Sequence, residues 1–339
     1  MDLLDLSDDI PTSSSSADEA VSDAPSAAPA IRIDHADPRH ARVVLVDWML
    51  GNACSYACSY CPRELHDGSI AWQDEAEIIA LYDQLAEHYL RGQGRVVWLQ
   101  FTGGEPTMHP RILPIVEAAT ARGFRVSLIS NASRTQRFWT RLCPHLDAAI
   151  LTYHPEFASR GPFIETLRIL SERMPVHVNV TMPPDRFDAV YADADAIAAA
   201  VPTITIALKP LRVGFRSELY PYTDEQKARL DTRLTRLGHP GAETPRGILR
   251  VTGQDGRAHI AHVHDLVLAG ANRWKGWLCH AGLESLRIKG DGRITRAVCS
   301  SGGEIGRLGG DVSFPGEPIL CDRDACACVA DVLITKVAV

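Results

Sequence analysis

The sequence predicts an α/β fold in which six βα units form an open, partial (β/α)6 barrel, followed by a small cysteine-rich α+β cap. Between about residues 40 and 210, short β-rich runs alternate with longer amphipathic stretches, the pattern of parallel strands joined by helices. This alternation ends near Thr223, and residues 271–339 hold five of the nine cysteines. Six units are too few for a closed eight-stranded barrel, so we expect an open one.

The predicted elements follow in chain order. The strands are short and apolar, and they run from Arg42 to Trp48, Val96 to Thr102, Arg125 to Ser130, Ala148 to Tyr153, Val176 to Thr181 and Thr203 to Lys209. The helices between them are amphipathic, and they run from Asp74 to Leu90, Arg111 to Arg122, Pro162 to Glu172 and Asp188 to Ala200. A polar helix is then predicted from Asp224 to Leu237, and a hairpin around Gln254–Arg257, where Asp-Gly favours a turn.

These elements divide the chain into four segments. Residues 1–35 are rich in Ser, Ala, Asp and Pro and hold few large apolar side chains, so we expect a disordered tail there. Residues 36–222 are predicted to form the partial barrel, and residues 223–270 a linking helix and hairpin. Residues 271–339 are predicted to form the cysteine-rich cap.

Composition and charge exclude several classes of protein. The 339 residues carry a formal net charge of −7, which gives no basic field for a nucleic-acid backbone. No apolar run approaches the roughly 20 residues that a membrane span needs, and the first residues lack a signal-peptide pattern. An odd number of cysteines at tight spacings favours metal ligation over disulfides, and metal ligation requires a reducing compartment. We therefore expect a cytoplasmic protein with no membrane partner. The charge disfavours nucleic acid as the primary partner, and a local basic groove stays open as an alternative.

Three cysteines directly after the first predicted strand carry the most information. Cys54, Cys58 and Cys61 follow the spacing C-x3-C-x2-C. Three thiolates can hold three irons of a [4Fe–4S] cluster, and this leaves the fourth iron open to a small molecule. The spacing therefore predicts an iron–sulfur site with a vacant position.

Polar motifs also follow the second and third predicted strands. Gly103, Gly104 and Glu105 follow the second strand, and Ser130 and Asn131 follow the third. Glycines allow close approach of the backbone to a ligand, and the Glu105 carboxylate is suited to binding an ammonium group. The alternative for Gly-Gly-Glu is a strand-exit turn with a solvated acid, and the alternative for Ser130 and Asn131 is a helix N-cap. Since the ends of parallel strands meet at one rim, we expect these loops to converge.

Two further groups lie at predicted strand ends. His154 follows the fourth strand, where it is a candidate for contact with substrate or for proton transfer, the alternative being a hydrogen-bonded structural histidine. Lys209 and Arg212, at the end of the sixth strand, can bind an anionic group or be solvated rim charges.

The segment Val46–Pro62 resembles the signature of the radical S-adenosylmethionine (SAM) enzymes, down to the aromatic Tyr60 before the third cysteine. The resemblance implies a TIM-like partial barrel and a [4Fe–4S] cluster whose open iron binds SAM. It also implies that Gly103, Gly104 and Glu105 bind the SAM amino group, and that Ser130 and Asn131 bind its ribose or carboxylate. An electron donor such as flavodoxin or ferredoxin would drive cleavage of SAM to a 5′-deoxyadenosyl radical, which abstracts a hydrogen atom from the substrate.

The five distal cysteines resemble a second module of the same family. The residues that resemble the opening hairpin of the SPASM and twitch auxiliary-cluster domains are Cys279–Gly282, Leu286–Ile288, Asp291–Gly292 and Cys299, and the remaining thiols are Cys321, Cys326 and Cys328. One [4Fe–4S] cluster with four cysteine ligands fits and leaves one thiol spare, whereas two complete clusters do not fit. Which four cysteines bind stays open. The alternative is a tetrahedral zinc site.

The resemblance implies an enzyme that oxidises, cross-links, epimerises or rearranges its substrate, which is a small metabolite or a ribosomal peptide. The competing class is a non-catalytic iron–sulfur or zinc protein that serves electron transfer or protein interaction. Such a protein would need neither the Gly-Gly-Glu motif at the cluster nor a ribose-binding loop.

Overall fold

The structure is a computed structural model that describes residues 21–22, 28–215, 218–234, 248–326 and 328–339. The strands over these residues are β1 (Val21–Ser22), β2 (Ala30–His35), β3 (Val43–Met49), β4 (Val96–Thr102), β5 (Arg125–Ser130), β6 (Ala148–Tyr153), β7 (Val176–Met182), β8 (Thr205–Pro210), β9 (Leu249–Gly253), β10 (Ala258–Ala261), β11 (Leu278–Cys279), β12 (Ser285–Ile288), β13 (Arg293–Thr295), β14 (Glu304–Arg307), β15 (Ile319–Leu320) and β16 (Lys336–Val337). The α-helices are α1 (Glu75–Leu85), α2 (Ile112–Ala121), α3 (Gln136–Leu142), α4 (Arg160–Ser171), α5 (Phe187–Ala200), α6 (Asp224–Leu234), α7 (Val263–Leu268) and α8 (Val329–Val332).

The larger sheet has nine strands in the order β14-β13-β12-β3-β4-β5-β6-β7-β8. Strands β3 to β8 are parallel and lie side by side in chain order. One helix from α1 to α5 connects each consecutive pair, and α1 continues into a π-helical segment, Ala86–Arg91. The parallel α/β sheet predicted from the sequence is therefore confirmed, and α3 takes the position after the third predicted strand, where a helix was expected without bounds. Over the described residues the two outer strands, β14 and β8, do not pair with each other.

The two faces of this sheet differ in polarity. On one face, strand residues such as Val46, Leu99 and Leu128 are fully buried and pack in one core with the helices. Register partners in neighbouring strands point to the same side of the sheet, so the strand pairing also identifies the residues of the opposite face. That face carries polar and partly exposed side chains, which are Asp47, Gln100, Thr152, His177, Asn179, Thr205 and Lys209. We call these residues the polar face.

The smaller sheet joins the two ends of the chain, in the order β1-β10-β9-β2-β16-β11-β15. The predicted tail up to residue 35 is wrong over Ala30–His35, which form β2, and residues 1–20 and 23–27 lie outside the described residues. Ile33 in β2 is 2% exposed and packs with Leu249 and Val251 of β9. Its burial depends on partners more than 200 residues away along the chain, which the composition of a short window does not reveal.

The predicted division after residue 222 also differs from the structure. The hairpin of β9 and β10 forms around the expected turn, but it belongs to the smaller sheet together with β2 and is not a linker. Residues 271–339 are shared between the sheets, because β12 pairs in parallel with β3 while β11, β15 and β16 join the smaller sheet. The predicted polar helix begins at Asp224 as expected and is described to Leu234.

Candidate functional site at the cysteine loop

The three cysteines lie on the loop that leaves β3 at the carboxyl edge of the parallel strands. Cys58 is 6% exposed, and Cys54 and Cys61 are partly buried. Burial raises the pKa of all three thiols, that of Cys58 to about 11; Cys54 and Cys61 also raise the pKa of Cys58, and Cys54 raises that of Cys61. The thiols are therefore electrostatic neighbours. A bound cationic metal centre reverses this effect, since a coordinating thiol is deprotonated.

Two residues that the sequence did not single out hold this loop in place. The Asn52 side chain is fully buried and donates to the Glu64 carbonyl at 2.8 Å and to Asp67 Oδ1 at 2.9 Å. Glu156, from the loop after β6, accepts the Ser59 backbone N–H at 2.7 Å and also the Ser59 hydroxyl. Both residues stabilise an irregular loop. Such a loop has no periodic sequence pattern from which these contacts could be predicted.

Gly103 and Gly104 bring the end of β4 against the backbone of the cysteine loop. The Gly104 N–H donates to the Gly51 carbonyl at 3.2 Å, and the Glu105 N–H donates to the Ala53 carbonyl at 2.9 Å. A Cβ on Gly103 would stand 2.3 Å from the Gly51 oxygen, and one on Gly104 would stand 2.4 Å from the Ala53 oxygen. Both positions therefore require glycine. We expected these glycines to allow close approach to a ligand, and the close approach that the structure shows is to the backbone of the cysteine loop.

The Glu105 carboxylate lies at 0% exposure and accepts four hydrogen bonds. Its donors are the Thr107 N–H and hydroxyl at 3.0 and 2.6 Å, the Ser130 hydroxyl at 2.8 Å and the Asn131 N–H at 2.7 Å. Burial raises the pKa of Glu105, although these bonds act in the opposite direction. We expected the carboxylate to face an ammonium group. Instead it links the loops after β4 and β5, and it is enclosed by its four donors.

Asn131 connects this network to the first cysteine. Its Nδ2 donates to Cys54 Sγ at 3.5 Å and to Ser55 Oγ at 3.1 Å. Helix α3 begins only at Gln136, with Thr135 as its N-cap, so neither Ser130 nor Asn131 is a helix N-cap. The loop after β5 therefore bends back toward the cysteines before the helix starts.

His154 lies at the end of a chain of hydrogen bonds. The Thr181 hydroxyl donates to the Tyr153 carbonyl at 3.1 Å, so the Tyr60 hydroxyl, 3.0 Å from Thr181 Oγ1, must donate to Thr181. The Tyr60 oxygen then accepts from His154 Nδ1 at 2.8 Å, which places the proton of the neutral ring on Nδ1. Burial lowers the pKa of His154 to about 4, so the ring is neutral at pH 7. Its Nε2 carries the lone pair and has no hydrogen-bond partner among the described residues.

A cleft of about 470 Å³ opens beside the cysteine loop, between the start of α3 and the start of α4. The Tyr56 ring of the cysteine loop stacks on Phe157 at a centroid distance of 5.2 Å and forms one wall. The remaining lining residues include Asn131, Ser133, Gln136 and Phe163. The cleft is open to solvent and mixes aromatic with polar groups, as ligand sites usually do.

The arrangement of the thiols bears on the kind of metal centre that they can hold. Within the described ranges, no group of three or more His, Cys, Asp or Glu side chains is arranged to hold a single metal ion. Around one zinc, with Zn–S of about 2.3 Å, tetrahedral thiolates stand about 3.8 Å apart. In a [4Fe–4S] cluster each thiolate binds a different iron, so the ligands are spread more widely. Three neighbouring thiols on one loop therefore fit the cluster by donor type and number.

Comparison with known proteins identifies this region. The model of the Radical SAM superfamily matches residues 48–189, which include the cysteine loop, Glu105, Asn131 and His154. Residues 48–189 therefore form a radical SAM domain. A curated relative, the S-adenosylmethionine-dependent nucleotide dehydratase of Selenomonas ruminantium, is 33% identical over 81 residues, which are 24% of this chain and 27% of that protein.

Two solved structures show a similar fold. Streptococcus suis SuiB bound to the precursor peptide SuiA aligns with a TM-score of 0.51 and 11% identity, over 81% of this chain and 63% of SuiB. SuiB bound to S-adenosylmethionine aligns with a TM-score of 0.50 and 12% identity, over 75% of this chain and 60% of SuiB. At these identities the likeness concerns the fold alone. The chain spans less than two thirds of the length of each of these relatives.

Outside the radical SAM region, the structure brings four of the five distal cysteines together. Cys279 and Cys321 are buried in one cluster, against which Cys299 packs. Cys326 is 4% exposed, and Cys279 and Cys321 both raise its pKa, while Cys326 in turn raises that of Cys299. These four thiols are therefore electrostatic neighbours, although they come from separate segments of the chain.

Cys328 has different surroundings. After burial, the carboxylate of Asp331 contributes most to raising the pKa of Cys328, and Asp47 also contributes. Asp47 belongs to the polar face and pairs with Arg287 of β12 at 2.6 Å. The groups that act electrostatically on Cys328 thus include a residue of the polar face. No helix in the described part of the chain is long and apolar enough to cross a membrane.

Proposed function

We propose that this protein is a radical SAM enzyme in which Cys54, Cys58 and Cys61 bind three irons of a [4Fe–4S] cluster and SAM binds the fourth. The convergence of three strand-end loops carries the proposal. Glu105 ties the Gly-Gly-Glu loop to the loop after β5, and Asn131 of that loop donates to Cys54. A purely structural cluster would need no such buried carboxylate between the loops.

The chemistry that we assign to the [4Fe–4S] cluster and SAM is that of the radical SAM superfamily. Together they would supply a 5′-deoxyadenosyl radical that takes a hydrogen atom from a substrate held against it. The protein's own residues position these partners. Gly103 and Gly104 set the distance between the Gly-Gly-Glu loop and the cysteine loop, and the Tyr60 hydroxyl fixes the orientation and tautomer of His154.

We propose that the substrate binds at the polar face. His154 Nε2 is available to accept a hydrogen bond from it, and Lys209 of β8 offers a cation to an anionic group. Lys209 is the register partner of Thr181, which belongs to the hydrogen-bond chain of Tyr60 and His154. Burial lowers the pKa of Lys209, and an anionic ligand would favour its charged form.

Anaerobic reconstitution with iron, sulfide, SAM and dithionite tests the proposal. We expect 5′-deoxyadenosine to form with the wild-type protein and not with Cys58→Ala. Equal amounts in both samples would reject the enzyme and favour a non-catalytic iron–sulfur or zinc protein. Cys143→Ala is the matched control, because Cys143 is also buried but lies outside the cysteine loop.

We further propose a second [4Fe–4S] cluster, held by Cys279, Cys299, Cys321 and Cys326, with Cys328 as the spare thiol. The grouping of these four thiols supports this choice. In a Cys54/Cys58/Cys61 triple Ala variant, we expect about four irons and four sulfides per chain to remain. One zinc per chain and no sulfide would instead identify a structural zinc site.

The substrate class is proposed from both relatives. SuiB was solved with a precursor peptide and the Selenomonas ruminantium protein is named for a nucleotide, so we propose a ribosomal peptide or a small anionic metabolite. Deuterium transfer from labelled candidates into 5′-deoxyadenosine identifies the substrate and the position that is abstracted. The reducing electron would come from a flavodoxin or ferredoxin, for which dithionite substitutes in this assay.

A further inference from the structure

Lys336 of β16 is a fully buried cation beside the distal cysteines, with a relative exposure of 0%. Its Nζ donates to the carbonyls of Asp331 at 2.7 Å, Val332 at 3.2 Å and Ile334 at 2.7 Å. The ammonium group has three N–H donors, and all three are used by neutral oxygens. Its hydrogen bonds are satisfied, but its charge is not balanced by a hydrogen-bonded carboxylate among the described residues. A buried charge is costly unless an opposite charge stabilises it.

The position of Lys336 indicates where the opposite charge would lie. Lys336 is the register partner of Cys279 in the antiparallel pair of β16 and β11, so both side chains point to the same side, with Cβ atoms about 5 Å apart. Its Nζ stands 4.5 Å from the centroid of the Trp274 ring. Trp274 packs in the same buried cluster as Cys326. Lys336 therefore lies beside Cys279 and contacts a residue of the buried cluster that contains Cys326.

Two residues of opposite charge, Lys336 and Asp331, act on the distal cysteines. Lys336 lowers the pKa of Cys279 and of Cys326, in opposition to burial, which raises both. Asp331 acts in the other direction and raises the pKa of Cys299 and Cys326. The Asp331 carboxylate accepts the backbone N–H groups of Val298 at 3.0 Å and Cys299 at 2.6 Å, so its position is fixed by the backbone.

We propose that Lys336 is the buried countercharge of the distal iron–sulfur cluster and raises its reduction potential. The inference rests on the second cluster of the proposed function. A cluster with four thiolate ligands carries a net negative charge, and its reduction by one electron adds one further negative charge. A cation held within the protein stabilises the reduced form more than the oxidised form, because solvent does not screen it there. Lys336 is thus a positioning and tuning residue that does not itself bind iron.

The experiment uses the Cys54/Cys58/Cys61 triple Ala variant of the full chain, in which the distal cluster is the one that remains. Lys336→Gln removes the charge and keeps an amide that donates to the carbonyls. Lys336→Arg keeps the charge. Lys227→Gln, at an exposed position on α6, makes the same charge change in solvent. Iron and sulfide content, circular dichroism and the midpoint potential from a dithionite titration followed by electron paramagnetic resonance are measured for each variant.

We expect Lys336→Gln to move the midpoint potential to more negative values, while Lys336→Arg and Lys227→Gln leave it near that of the parent. If Lys336→Gln folds but binds no iron while Lys336→Arg does, the countercharge is needed for assembly, which also supports the proposal. An unchanged potential in a fully loaded Lys336→Gln variant would overturn it. Absence of iron and sulfide from the parent triple variant would instead reject the second cluster itself.

Discussion

The Glu105 carboxylate accepts the backbone N–H of Asn131 at 2.7 Å, in the interior of the protein and between two loops that follow different strands. Through this bond the Gly-Gly-Glu loop controls the position of the Asn131 side chain, which in turn donates to Cys54. We expected this carboxylate to bind a ligand, but in the structure it holds together the loops of the site. It fixes the loops on which the proposed cluster and SAM depend.

We expect Glu105→Gln to weaken this connection. The amide can place its oxygen toward Thr107 and Ser130, but its NH2 then faces the Asn131 N–H, and two donors oppose each other. The free energy of unfolding should fall by about 1–3 kcal/mol, the usual cost of an unpaired buried group. Urea denaturation of the apoprotein measures it, and iron content after reconstitution should fall as well.

Glu225→Gln is the matched control for that variant, since Glu225 is an exposed residue of α6 that undergoes the same chemical change. We expect it to have the stability of the wild type. Equal stability and equal iron content for Glu105→Gln would contradict the proposed role of the carboxylate.

Gly104→Ala should prevent the approach of the two loops. The added methyl group would stand 2.4 Å from the Ala53 carbonyl oxygen, so the backbone must move. We expect a loss of about 2 kcal/mol or more in the free energy of unfolding, and loss of cluster loading measured as iron per chain. A methyl group added at Gly161 in α4 would meet open space, so Gly161→Ala should stabilise the protein by roughly 0.5–1 kcal/mol. The same response at both glycines would refute the steric argument.

Two tyrosine substitutions test the hydrogen-bond chain at His154. Tyr60→Phe leaves His154 Nδ1 and Thr181 without their shared partner and should reduce the free energy of unfolding by about 1–2 kcal/mol. Tyr82→Phe removes a buried hydroxyl that has no hydrogen-bond partner among the described residues, so it should be neutral or stabilising. Nitrogen-15 NMR should report the proton on Nδ1 of His154 in the wild type. A proton on Nε2 would disprove the derived tautomer.

The smaller sheet should lose stability in acid through Glu284. This carboxylate is 3% exposed, and although burial opposes its ionisation, hydrogen bonds with His280 and His35 and from the Thr335 N–H lower its pKa below 4.5. Below about pH 4.5 the unfolded chain binds a proton that the folded protein does not, so this contribution to stability is complete above pH 4.5 and is lost as the pH falls.

Urea denaturation between pH 3 and pH 7 measures this dependence. The contribution of Glu284 to the slope is at most about 1.4 kcal/mol per pH unit, and it should be absent from Glu284→Gln. Parallel pH profiles for the two proteins would show that Glu284 does not carry the effect.

Most of the parallel sheet could be predicted from the sequence because each strand is a short apolar run with its own local pattern. Strands β4, β5 and β6 have the predicted bounds, and the cysteine spacing located the loop after β3. The bounds of α3 could not be predicted because its seven residues are too few to show a periodic pattern. Strand β2 was missed because a short strand in a polar window is stabilised only by partners from distant parts of the chain.

The sequence by itself determined the βα order, the identity of the thiols and the likeness to the radical SAM signature, because these depend on residue type and local spacing. Only the tertiary structure decided that the Glu105 carboxylate is enclosed between loops, that Lys336 is buried beside Cys279, and that Cys279, Cys299, Cys321 and Cys326 are electrostatic neighbours. Each of these depends on which remote segments pack together. Burial and electrostatic contact are properties of that packing, and spacing along the chain does not encode them locally.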